Sequence, residues 1–424
     1  MTQKMTQQEL QEALRHARLW NHPVKAVKLL LEKGARVDEA TQEWLKHHLR
    51  SAAGEGMAED AGMLIAMGAK VDENGDGGLQ PLHRAALGGH KEVAELLIAS
   101  GAKVDAVNDR GNQPLHYAAG FGGHLEMAKL LVANGAKIDA PDGDGQLPIH
   151  LAVRSGNIEM TELLLSEGAK IDAPDGKGEL PIHLAVRSDN IEMTEWLFSK
   201  GAKIDGALHI AAEMGWLEMA KLLVAKGAKA DGVDGNGSQP LHCAAWYDER
   251  FAMYGDTTIW QGHKEVAELL IASGAKVDAM NNRGNQPLHT AAANGHLEMA
   301  KLLVANGAKA DAVNNGGKQP LHYAVAVHVC DQDTDGRYIP DGVRQKRLGQ
   351  IKDVVSLLLA NGAEINARDK YGRQPLHCAE TREVEEMLLA HGAEADAGND
   401  VGNQPQINKR KQVNKAPSPK APGQ

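Results

Sequence analysis

An all-α solenoid of helix-turn-helix repeats joined by short β-hairpin loops is the architecture predicted for this chain of 424 residues. Three observations predict it. A cue of Pro, then Leu or Ile, then His ends at His83, His116, His150, His183, His242, His289, His322 and His377, most often 33 residues apart. A Gly-Ala step keeps the same beat at Gly34, Gly68, Gly101, Gly135, Gly168, Gly201, Gly227, Gly274, Gly307, Gly362 and Gly392. Between the two cues, apolar residues recur at helical spacing. A fixed period of this length marks an element that cannot bury its apolar face alone. Neighbours must stack, which gives an extended surface rather than a closed pocket. Binding is therefore expected before catalysis.

Residues 278–310 show what one repeat encodes. The Asn and Gly residues from Asn281 to Asn285 tolerate positive φ and favour a tight hairpin tip. Pro287 suits the first position of a helix, where its missing N–H would have no partner, and Leu288, Ala291 and Ala292 follow on one face. Gly295 breaks that helix. Leu297, Ala300, Leu302, Leu303 and Ala305 are expected to line a second helix, closed by Gly307 in a C-terminal capping position.

The pattern resembles the ankyrin repeat, with Pro-Leu-His, Ala-Ala, Gly-His, the Leu-Leu pair and Gly-Ala in register over roughly residues 7–396. The resemblance implies a curved stack whose hairpins and first helices line a groove that takes protein partners. Among the residues it places at the hairpin tips are Asp109, Arg110 and Asn112, then Arg283 and Asn285, and Tyr371 and Arg373. One departure is consistent. Where the family favours Thr before the Pro, this chain has Gln80, Gln113, Gln239, Gln286, Gln319 and Gln374, with Leu147 and Leu180 in two repeats. Gln caps a helix poorly and Leu not at all, so each repeat forgoes about 1 kcal/mol of capping and must recover stability from stacking.

Residues 1–72 keep the helical period but lack Pro-Leu-His, as expected of degenerate capping repeats with a wetted outer face. Residues 73–396 form the array, and 397–424, polar and Pro-rich, are expected to be a disordered basic tail. Within the array KEVAELLIASGAKVDA occurs at both 91–106 and 264–279, which points to duplication. The spacing falls to 26 between His183 and His209, where most of a hairpin is missing and a kink is expected. It rises to 47 between His242 and His289 and to 55 between His322 and His377, giving insertions near 246–259 and 327–348. Both follow a first helix and precede a second, so they project from one edge.

The first insertion region gathers Trp246, Tyr247, Phe251, Tyr254 and Trp260, five of the chain's fifteen aromatic residues. Either they anchor a partner, since exposed aromatics bury much area at low entropic cost, or they fold back as a satellite core. In the second insertion Asp331, Asp333 and Asp335 alternate ahead of Gly336, like the start of an EF-hand calcium loop to which Arg337 would lend its carbonyl. Position twelve is Gly342 rather than Glu, with Asp341 one step early, so the alternatives are a calcium-binding or calcium-stabilised loop and an acidic solvated turn.

Composition bounds the rest. The net charge is −10, and residues 401–424 hold five basic and no acidic side chains, leaving −15 on the remainder. That repels phosphate backbones and argues against a nucleic-acid platform. Cys243, Cys330 and Cys378 make no disulfide framework and suit a reducing compartment. No secretory signal or membrane-length apolar run is present, so a cytoplasmic protein with no membrane contact is expected. Most of the nineteen histidines recur once per repeat at the Pro-Leu-His or Gly-His position and are read as structural, because stacking about 10 Å apart keeps equivalent rings from sharing one ion. No phosphate-binding Gly loop, nucleophile elbow or paired metal histidines occur. The expected protein is a monomeric, non-catalytic scaffold with a protein partner and no cofactor beyond the calcium alternative. The resemblance also admits an effector delivered into a host cell by an intracellular bacterium.

Overall fold

The computed structural model describes residues 5–19, 23–120, 122–246, 258–326, 341–395 and 398, with the backbone alone at 258–262, 341, 343 and 344. The chain divides into two compact halves, Met1–Lys203 and Ile204–Gln424. The division falls in the shortened repeat between His183 and His209.

The helices of the N-terminal half are α1 (Gln7–Ala17), α2 (Pro23–Glu32), α3 (Glu39–Glu55), α4 (Ala58–Ala66), α5 (Pro81–Gly88), α6 (Lys91–Ala99), α7 (Pro114–Gly120), α8 (Leu125–Ala133), α9 (Pro148–Arg154), α10 (Ile158–Ser166), α11 (Pro181–Arg187) and α12 (Ile191–Ser199). Those of the C-terminal half are α13 (Ala207–Met214), α14 (Leu217–Ala225), α15 (Pro240–Ala245), α16 (Thr258–Ala272), α17 (Pro287–Ala293), α18 (Leu297–Ala305), α19 (Pro320–Ala324), α20 (Asp341–Ala360), α21 (Pro375–Cys378) and α22 (Arg382–Ala390). Within each half the repeats pile up in sequence order. First helices pack on first helices along α3, α5, α7, α9 and α11, and along α13, α15, α17, α19 and α21. Second helices do the same along α2, α4, α6, α8 and α10, and along α14, α16, α18, α20 and α22.

The core repeats with the sequence. In one module Leu115, Ala118 and Ala119 of α7 and Met127, Ala128 and Leu131 of α8 are all buried. The leucines each contribute about 2 kcal/mol by leaving water, and the alanine pair lets the helix backbones approach closely. The apolar stripe of the second helix differs from the one read in the sequence. On α18 Met299, Ala300 and Leu303 are buried, Leu297 and Leu302 are half-buried, and Ala305 is exposed. Met299 completes the inward face because it lies one turn before Leu303, whereas Ala305 points away from both layers.

In six repeats the histidine of the Pro-Leu-His or Pro-Ile-His cue ties three elements together. The Gln80 N–H donates to His83 Nδ1 at 3.2 Å, so the ring carries its proton on Nε2 and donates it to the carbonyl of Asn112 in the next hairpin at 3.1 Å. The same pair of bonds recurs from His116 to Gln146, His150 to Glu179, His242 to Asn285, His289 to Lys318 and His322 to Arg373. At the Gln and Leu positions no side chain caps the helix. The histidine takes up the N–H of the capping residue itself, the reciprocal bond of a capping box, while the first-turn N–H that a Thr hydroxyl would accept gets no side-chain cap. A second set of histidines points backwards. His90, His124 and His263 reach the carbonyls of Gly54, Leu87 and Glu213 at 2.8–3.1 Å.

The hairpins contain no strand among the described residues, unlike the short β-hairpins expected. In the loop after α6 the Asn108 N–H donates to the Asn112 carbonyl, but the return bond runs from the Asn112 N–H to the side-chain Oδ1 of Asn108. With the second rung diverted to a side chain, no ladder forms.

Two outcomes follow from this packing. Asp189 adopts φ 50°, the left-handed region, where the matching position of the preceding repeat is Gly156 at φ 73°. Asp189→Gly removes that strain and should raise stability by about 1 kcal/mol, seen as a rise of about 2 °C in the melting midpoint. Burial lowers the pKa of His83, His116, His150, His242 and His322, and takes His289 from 6.5 to about 4. The unfolded chain therefore binds more protons than the folded chain below pH 6.5. Stability is full above that value and is lost as the pH falls towards 4, by about 3 kcal/mol at His289 alone. Urea midpoints should be level above pH 7 and decline between 6.5 and 4; a level profile throughout would contradict the neutral histidine ties.

Candidate functional site

The surface that the repeats leave for recognition is built at the hairpin tips. At seven tips one Asn or Asp closes the turn by accepting two backbone N–H groups on its Oδ1. Asn108 takes those of Arg110 and Asn112, Asp142 those of Asp144 and Gln146, and Asp175 those of Lys177 and Glu179. In the C-terminal half Asp234, Asn281, Asn314 and Asp369 do the same. Single backbone bonds stitch one tip to the next, from the N–H of Asn282 to Asn236, of Asn315 to Arg283 and of Lys370 to Gly316. With the turn held by the first residue, the two that follow it are left facing water.

In the C-terminal half the tips and first helices enclose an open cleft of about 580 Å³. Its wall includes Glu213, Asp234, Cys243, Trp246, Arg283 and Tyr323. Trp246, at the end of α15, is 52% exposed. His242 and His289 also line the cleft. Both ring nitrogens of each are engaged by backbone groups, so neither is free to move a proton. Burial, with Asp234 and Glu213 nearby, pushes the Cys243 thiol up to about 12. A thiol held neutral is a poor nucleophile.

The residues expected at the site are placed as follows. Asp109 and Arg110 are exposed on a tip of the N-terminal half. Asn112 is half-buried, and its carbonyl receives His83. Trp246, Arg283 and Asn285 come together in the cleft. Asn285 has a structural share as well, since its carbonyl receives His242 and its Oδ1 accepts from Asn314 Nδ2 at 2.7 Å. Tyr371 is 52% exposed, with Lys370 and Arg373 about its ring at 5.1 and 5.0 Å, and Arg373 pairs with Asp369 at 2.8 Å. Tyr247, Phe251 and Tyr254 lie outside the described residues, and Trp260 is described only as backbone in α16. Asp331, Asp333, Asp335 and Arg337 also lie outside them, and Asp341 is described only as the first backbone position of α20.

Sequence reasoning missed a row of apolar side chains. Val233, Met280 and Val313 each stand immediately before the tip-closing residue of successive hairpins and are 65%, 58% and 53% exposed. Val107 occupies the same place in the N-terminal half, at 56%. The signal was present as an apolar residue repeated at one loop position amid polar neighbours.

Among the described residues, no group of three or more His, Cys, Asp or Glu is placed to hold a metal ion, and no helix is long and apolar enough to cross a membrane. Compared with known families, the chain matches the model described as "Ankyrin repeats (3 copies)" over residues 49–142, 139–206 and 257–331, and that described as "Ankyrin repeats (many copies)" over 208–253 and 352–389. No curated protein matches the chain.

The tip geometry makes a graded prediction. Asn281→Ala deprives the Arg283 and Asn285 N–H groups of their acceptor and should cost about 2 kcal/mol, with faster amide hydrogen exchange at both residues. Asn281→Asp should exchange like the parent, because Asp234 closes the neighbouring tip in the same way.

Proposed function

Because the chain belongs to the ankyrin-repeat family, whose repeats are generally protein–protein interaction modules, we propose that it is a non-catalytic adaptor that holds a protein partner against the hairpin-and-first-helix face of its C-terminal half. The observation that carries the reading is the row of Val233, Met280 and Val313, one apolar side chain per repeat, each more than half exposed. Apolar groups aligned at one repeated position expose area that a partner can remove from water, which favours association. Trp246 adds an aromatic anchor beside the cleft, of the residue type that dominates binding energy at protein interfaces.

The chemistry of the cleft supports binding over turnover. Its histidines are committed to the backbone and its thiol is kept neutral, so the cleft offers shape, hydrogen bonds and charge without an activated nucleophile.

The test is recovery of bound protein from native cells by the intact chain and by Val233→Glu, Met280→Glu, Val313→Glu in one molecule. All three side chains are solvent-facing, so circular dichroism should not change, while recovery of specific partners should drop by about tenfold or more. Equal recovery by a folded variant would remove this face from the mechanism.

A further inference from the structure

The order of charges along the same face points to the kind of segment it accepts, an inference that rests on the adaptor reading. First helices of the C-terminal half follow one another from α13 to α21, so sequence order is spatial order along the face. At the α13–α15 end the charges are Glu213 and Asp234, both on the cleft wall beside Trp246. Cys243 lines the same cleft as both carboxylates.

Beyond them the sign reverses. Arg283 stands on the next tip, Lys318 on the one after, and Lys370 and Arg373 on the last described tip. Of residues 369–373 the one carboxylate, Asp369, is 5% exposed and bound to Arg373 at 2.8 and 2.9 Å, so the exposed Arg368 and Lys370 against the exposed Glu364 leave this hairpin net positive. Arg368 continues the reversal, since it occupies the place held by Val233, Met280 and Val313 in the earlier hairpins. Lys318 lies 5.3 Å from the centre of the Tyr323 ring, and Tyr371 is flanked by Lys370 and Arg373, so the cations there lie over aromatic rings. The flanking pairs Lys229 with Asp231, Lys276 with Asp278 and Lys309 with Asp311 are neutral and add no polarity, while in the last hairpin the pair is Glu364 with Asn366, which offsets one of its three cations Arg368, Lys370 and Arg373.

We propose that this face takes an extended polypeptide segment with segregated charge: basic side chains at one end against Glu213 and Asp234, an apolar middle against Met280 and Val313, and acidic side chains at the other end against Lys318, Lys370 and Arg373. Four steps of about 10 Å between stacked repeats span about 40 Å, which an extended chain covers in about 12 residues. Segregation matters because reversing the segment, or interleaving its charges, sets like charges opposite one another.

A library of random 12-residue peptides displayed on phage would be selected against the full chain, against Glu213→Lys with Asp234→Asn, and against Lys318→Glu with Lys370→Glu. Asn at 234 keeps the hairpin closed as Asn281 does in the next repeat. The expected result is enrichment of peptides basic at one end and acidic at the other. Each should bind about tenfold tighter than the same composition with charges interleaved. The first variant should lose the demand for a basic end, and the second should select peptides basic throughout. Enriched peptides with unsegregated charge, or equal binding of interleaved versions, would overturn the proposal and leave the adaptor reading standing. A selection that enriches nothing, or only peptides indifferent to Met280→Glu, would overturn both.

Discussion

The buried neutral histidine is the constraint on which the rest of the structure depends. Its ring accepts from the start of its own first helix and donates to a carbonyl of the following hairpin, so one side chain fixes helix, hairpin and neighbour together. Both bonds require the uncharged ring, with its proton on the nitrogen that faces the next repeat. Burial supplies that condition, since removing the ring from water disfavours its charged form. The apolar layers supply most of the energy of stacking, but they would tolerate small slips. The histidine bonds set how each repeat sits on the next.

That arrangement separates the work of stability from the work of recognition. Helix faces and histidines hold each half together, while the tips carry exposed side chains on turns that a single Asn or Asp closes. In the C-terminal half the separation leaves an open cleft, the exposed apolar residues Val233, Met280 and Val313, and along the same run of repeats the acidic Glu213 and Asp234 ahead of the basic Arg283 and Lys318. Nothing in the core has to change for any of these to change.

Much of the fold was legible in the sequence because its signals are periodic. Pro287 and Gly295 bracket α17 as their backbone preferences require, and the Pro-Leu-His cue marked the start of nearly every first helix. The shortened spacing before His209 coincides with the division of the chain at Lys203 and Ile204. The site was less legible. Asn112 and Asn285 stand at the tips, and that their carbonyls also take part in the histidine ties is not legible, because a backbone acceptor leaves no trace in residue identity. The exposed Val233, Met280 and Val313 escaped notice for a related reason. Hydrophobicity alone suggests burial, and only the geometry of the loop turns that position outward.

For seven forward histidines, among them His209, the acceptor is a main-chain oxygen, contributed in turn by Asn112, Gln146, Glu179, Ser238, Asn285, Lys318 and Arg373. Amide, carboxylate, hydroxyl, ammonium and guanidinium side chains all occur at this one place. A joint that is blind to side-chain identity lets a module be copied, moved or lengthened without redesigning its neighbour. Evolution can then rewrite the outward-facing letters one by one while the grammar that joins them stays intact.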